Sequence, residues 1–116
     1  MKYLCLIYYD EKNLDGLPKS EFDALVAEAR AYSEALRKSG HYVAGNALES
    51  VKTATTLRTR NGKLSTTDGP FAETKEQLGG FILIEARDLN EAIQVAAKAP
   101  PARLGCIEVR PIREFA

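Results

Sequence analysis

The sequence is poor in the residues that announce most chemistries. Its 116 residues include one histidine and two cysteines. Cys5 and Cys106 lie near opposite ends, without CxxC spacing and without a neighbouring histidine, so a metal site is unsupported. With no secretory signal, both read as buried thiols rather than a disulfide. Charge of one sign is lacking too: sixteen Lys+Arg stand against sixteen Asp+Glu, which argues against the basic surplus of a nucleic-acid binder. No apolar run approaches the ~20 residues of a membrane span. The amino-terminal MKYLCLIYYDEK is too short and too strand-like for a signal peptide. The expectation is a soluble, cytoplasmic protein with no metal or organic cofactor indicated.

What is present suits one globular domain. Apolar residues at 45% and charged residues at 28% exclude a disordered chain, and this length buries roughly two-thirds of the unfolded surface in one core. Lys2 to Tyr9 reads as a strand, apolar on both alternate faces, bounded by the turn-prone DEKNLDGLP. Phe22, Leu25, Val26, Ala29, Tyr32, Ser33 and Leu36 then recur at helical spacing, with Ser20 as a cap and Gly40 as the stop. The charged side of this helix reads as a solvated face. Tyr42 to Leu48 is a weaker strand broken by Gly45. Thr53 to Arg60 and Lys63 to Thr67 form a hairpin around Asn61-Gly62, two residues that tolerate positive φ. Phe81 to Ile84 is a buried strand. Asp88 to Glu91 opens a helix as a capping box, whose stripe of Leu89, Ala92, Ile93 and Ala96 predicts close packing. Pro100-Pro101 stops it, and Cys106 to Ile112 is a last strand that Pro111 ends or places at an edge.

This order is that of a ferredoxin-like α+β sandwich, a split βαβ arrangement with two helices on one face of an antiparallel sheet. The other sheet face would be bare and apolar, over several hundred Å² by rough expectation. Two subunits packing sheet on sheet cover it, so a homodimer is expected, forming a dimeric α/β barrel. The alternative is a monomer whose hairpin or C-terminal tail folds over that face.

Residues 66 to 81, TTDGPFAETKEQLGGF, together with Glu108-Val109-Arg110-Pro111-Ile112 and MKYLCLIYYDE, resemble the YCII-related (DGPF-domain) family over essentially the whole chain. The resemblance implies a dimeric α/β barrel, frequently bacterial, mostly of unknown function, with some relatives fused to or encoded beside extracytoplasmic-function sigma factors. One relative in the wider superfamily is a dehydrochlorinase, and several carry a His–Asp pair proposed as an active site. Those relatives place the histidine in the first helix. The matching segment here, Glu28 to Glu34, has none, and the lone histidine is His41, just past Gly40.

Asp68 has two readings. Its carboxylate can accept from backbone N–H groups two residues on, where Pro70 restricts Gly69 to an extended conformation. Facing a dimer cavity, it would serve instead as a general acid or base. Glu73 and Lys75 can share one side of an extended segment, as an ion pair or as ligand contacts. Gly79-Gly80 lacks the context of a phosphate loop and suits a β-bulge or a close backbone approach. Arg110 shares a strand face with Cys106 and Glu108 and is an anion-binding candidate. His41 follows a helix C-terminus, where the dipole favours a cation. Tyr8, Tyr9 and Tyr42 are core or interface aromatics, and Tyr8 could orient a ligand. Two functions follow. One is a small-molecule lyase or isomerase-type enzyme with Asp68 as acid/base and His41 assisting. The other is a non-catalytic ligand-binding or sigma-factor-associated stress-response protein.

Overall fold

The computed structural model describes residues 1–115. Its elements are β1 (Lys2–Tyr9), α1 (Glu11–Asp15), α2 (Lys19–Ser39), β2 (Tyr42–Ala47), β3 (Thr55–Arg60), β4 (Lys63–Asp68), β5 (Gln77–Glu85), α3 (Leu89–Ala96) and β6 (Gly105–Pro111). The architecture is α+β. A four-stranded sheet has the order β2-β5-β1-β6, each neighbouring pair antiparallel, and β3-β4 forms a second sheet of two strands. That order is the one the split βαβ reading expects.

The alternation of β1 divides the sheet into two unlike faces. Tyr3, Cys5, Ile7 and Tyr9 are buried with Ile82 and Ile84 against Leu36 of α2 and Ala92 and Ala96 of α3, so both helices cover one face. Tyr32 Oη donates to the Val95 carbonyl at 2.7 Å and ties α2 to α3. On the opposite face Leu4, Leu6 and Tyr8 register with Leu83, Phe81 and Leu78 on one side and with Arg110, Glu108 and Cys106 on the other. Among the described residues no element covers that face, and its apolar side chains stay only half-buried.

Several local expectations hold. Asn61 (φ 51°) and Gly62 (φ 75°) both adopt the left-handed region that closes a two-residue hairpin. Gly40 (φ 83°) ends α2. Asp88 accepts from Glu91 N at 2.9 Å. The β1–β5 register shifts between Ile7 and Tyr8, with Gly79 as the extra residue, so the glycine pair does sit at a bulge.

Other expectations need correction. Pro18, not Ser20, precedes α2, and no side chain caps it. DEKNLDGLP is not all turn: Asp10 accepts from Lys12 N and starts α1. The irregularity in β2 falls between Tyr42 and Ala44 rather than at Gly45. Gly69 is not ordinary extended backbone but has φ 101°, which suits glycine alone. Cys5 is buried, but Cys106 is exposed, because β6 turns it toward the bare face. Leu89 and Ile93 stay about half exposed, since only the alanine side of α3 meets the sheet.

The hairpin projects from the body. Leu57 and Leu64 are 59% and 64% exposed, and register puts them on one hairpin face with Thr55, Thr59, Thr66 and Asp68. The radius of gyration is 16.1 Å, against about 13 Å for a compact chain of this size. With the hairpin included the chain is thin, 19 Å along its shortest axis, as one sheet and one helical layer require.

Candidate functional site

The sequence candidates do not converge on one point. His41 lies at the carboxyl end of β5, where its carbonyl accepts from Glu85 N at 2.8 Å. The DGPF loop enters β5 at the opposite end, about 26 Å along the strand. Asp68 is exposed at the base of the hairpin, without a side-chain hydrogen bond among the described residues, so its expected turn-capping bond is absent. Glu73 is exposed, and no Glu73–Lys75 ion pair is present among the described residues. Arg110 occupies the bare sheet face, where its Nε donates to Glu108 at 2.8 Å and its Nη2 meets the same oxygen.

His41 belongs to a different group of residues. Its Nδ1 is 2.7 Å from Ser39 Oγ, and its Nε2 is 3.3 Å from Glu91 Oε1. A Ser–His–Glu series suggests a nucleophile, but Ser39 donates its proton to the Leu36 carbonyl at 3.1 Å. A hydroxyl already bonded to a backbone carbonyl is a poor candidate for deprotonation by the ring. Glu91 also accepts from Arg87 N and pairs with the Arg87 guanidinium. The Arg87 N–H bond is the main reason the Glu91 carboxyl is held below its usual range, with the Arg87 charge and His41 adding to it. These contacts join the end of α2 to the start of α3, outside both cavities described next. Their role is to clamp two helices.

Two of the six candidates do meet. Tyr8 and Lys75 line a polar cleft of ≈ 800 Å³ with Asp10, Asn13, Thr74, Glu76 and Cys106. Cys106 Sγ lies 3.8 Å from Glu76 Oε1. Desolvation first, and then Glu76, push this thiol above its usual range. The protonated form is favoured, which is the wrong direction for a nucleophilic cysteine.

The second cavity is a groove of ≈ 870 Å³ between α2 and the β2–β5 corner of the sheet. Its cause is local. Leu36 seats the end of α2 on the sheet, but earlier in the helix Phe22 remains 40% exposed, and opposite it the sheet offers Gly45, Gly79 and Gly80. These three glycines line the groove along with Ile7, Tyr9 and Ile82, facing Leu25, Val26 and Ala29. A Cβ on Gly45 would stand 3.1 Å from the Phe81 carbonyl oxygen, and one on Gly80 would stand 3.0 Å from the Asn46 carbonyl oxygen. α1 closes one end with Leu14. It is held there by Glu11, whose carboxylate accepts from Ser50 Oγ at 2.8 Å and Val51 N at 2.9 Å. The volume lies within the usual ~300–1,000 Å³ of small-molecule sites, and the mostly apolar lining fits that class.

An α+β chain with a covered sheet face, a bare one and a ligand-sized groove under its long helix is the class that fold and site define. The chain belongs to the YCII-related family, whose domain model matches residues 1–116. It is also similar to an uncharacterised protein of Rhizobium meliloti (strain 1021), 36% identical over 115 residues, spanning 97% of this chain and 92% of the relative. Among the described residues no helix is long and apolar enough to cross a membrane, and no cluster of three metal-ligating side chains forms.

Proposed function

We propose that this YCII-family protein binds a small apolar molecule in the groove between α2 and the glycine-lined corner of the sheet. The observation that carries this reading is the half-seated helix, which leaves Phe22 40% exposed above the sheet. A ligand-sized volume of ≈ 870 Å³ stays open there between the helix and the sheet, while glycine at 45, 79 and 80 lets the strand backbones and the Tyr9 ring sit close together at its floor. The groove is separate from Asp68, so binding here does not require acid–base chemistry. A titration of ¹⁵N-labelled protein with small apolar fragments tests it: shifts centred on the amides of Gly45, Gly79 and Gly80 support the groove, and shifts confined to Tyr8, Lys75 and Cys106 refute it.

The working form in this proposal is a homodimer joined through the bare sheet face. Leu4, Leu6, Phe81 and Leu83 give that face an apolar centre flanked by Glu108 and Arg110. A patch of this kind is unusual on a soluble monomer.

One observation favours the enzyme reading as a second possibility. Asp68 shares its hairpin face with Leu57 and Leu64, so an association that covers those leucines also removes water from the carboxylate. A lyase or isomerase-type step with Asp68 as acid/base then belongs to the assembled protein. Asp68→Asn tests it: on an identified substrate this variant loses most of its turnover while its fold and oligomeric state persist, and full turnover would exclude the role.

A further inference from the structure

Tyr9 is 7% exposed, yet its hydroxyl has no hydrogen-bond partner among the described residues. No side-chain polar atom without a partner is completely sealed from solvent among them. The Tyr9 hydroxyl therefore keeps some contact with solvent, and the Tyr9 side chain lines the groove. A hydroxyl without a protein partner is a donor that a polar atom of an occupant takes over from water. Burial, and then the nearby Glu11 and Asp15 carboxylates, push the phenol above its usual range, which keeps it a donor at neutral pH.

The rim supplies the second observation. Arg30, Glu34 and Arg37 of α2 line the groove. Arg37 is already engaged, 3.2 Å from Glu34 and with its guanidinium 4.3 Å from the centre of the Tyr42 ring. Arg30 makes no ion pair or side-chain hydrogen bond among the described residues. Two guanidinium groups and one carboxylate leave the rim with a net positive charge, beside a cavity whose walls are mostly apolar, with Ser33 and Asn46 among them.

Resting on the groove as the binding site, the geometry points to an apolar carboxylic acid as its ligand class: an apolar body against Gly79, Gly80, Val26 and Ala29, with its carboxylate at Arg30. The arginine fork suits a carboxylate bidentately. Glu34 beside it disfavours a second negative charge, so one carboxylate fits better than two.

The test compares two probes of nearly equal size, 2-naphthoate and 2-naphthylmethanol, by calorimetric titration of the wild type, Arg30→Gln and Ala29→Trp. The wild type binds the acid roughly tenfold or more tightly than the alcohol, in keeping with the strength of a charge-assisted contact. Arg30→Gln, on the exposed side of α2, removes that preference by weakening acid binding to the level of the alcohol. Ala29→Trp, with a preserved melting transition, abolishes binding of both. If the alcohol binds as tightly as the acid and Ala29→Trp still blocks both, the groove stands and the carboxylate assignment falls. If Arg30→Gln leaves the acid preference intact, the assignment of Arg30 falls. If neither probe binds the wild type, or Ala29→Trp leaves both affinities unchanged, the groove reading itself falls, and this proposal with it.

Discussion

The Tyr9 ring lies directly over the backbone of Gly79: a Cβ placed on that glycine would fall 2.2 Å from the ring's Cζ. Glycine at the bulge is thus what lets an aromatic side chain lie flat at one end of the groove. Gly79→Ala should cost about 1–3 kcal/mol, because the new methyl displaces the ring from its seat on the bulge. Urea unfolding of Gly79→Ala in wild-type and Tyr9→Ala backgrounds checks the cause. A smaller loss in the second background is expected, since contacting residues couple. Equal losses would place the cost in the backbone of the bulge instead.

The helix clamp predicts a pH dependence. The Glu91 carboxyl is held low in the folded protein, chiefly by the Arg87 N–H bond. A depressed carboxylate adds stability above its unfolded value, about 4.3, and that contribution disappears as pH falls through the lower folded value. Glu91→Gln should therefore unfold at lower urea than the wild type at pH 7, and the gap should narrow below about pH 4. A gap of constant size across that range would show that the carboxylate's charge is not the stabilising feature.

The hairpin predicts a dynamic contrast. A two-stranded ribbon is marginal by itself in water, and β3 and β4 pair only with each other. Amides of Thr55 to Asp68 should exchange with deuterium far faster than those of β1 and β5 under conditions that keep the chain monomeric. Protection equal to that of the central strands would mean that the hairpin is held by more than its own ladder.

Association through the bare face predicts a substitution that separates subunits without unfolding them. Leu83 registers with Leu4 on the uncovered side, so Leu83→Asp adds a charge where a second sheet would pack. Sedimentation should find a folded monomer for the variant and a dimer for the wild type. An unchanged dimer would exclude this face as the interface.

The fold was legible in the sequence wherever local chemistry decides the outcome. Asn61-Gly62 demands positive φ, Asp88 must cap a helix three residues before Glu91, and the apolar run of Lys2 to Tyr9 marks a central strand. α1 escaped notice because five residues carry too little periodicity to stand out from turn composition. The exposed halves of Leu89 and Ile93 show that a helical stripe gives a direction but not how far the partner surface extends. The groove was illegible for a different reason. It depends on how far α2 stands off the sheet, and on the close approaches at Gly45, Gly79 and Gly80 that β2–β5 pairing and the bulge bring together. Tyr9 and Arg30 had no motif to mark them. One reads as a core aromatic and the other as part of a solvated helix face.

The most direct test of the central claim is a crystal structure of the protein soaked with a small apolar fragment. The account predicts density between Val26 and Ala29 of α2 and the backbone of Gly79-Gly80, with the Tyr9 ring at one end. Density only in the cleft beside Tyr8 and Lys75, or a groove closed by inward movement of α2 and filled by Phe22, would contradict it.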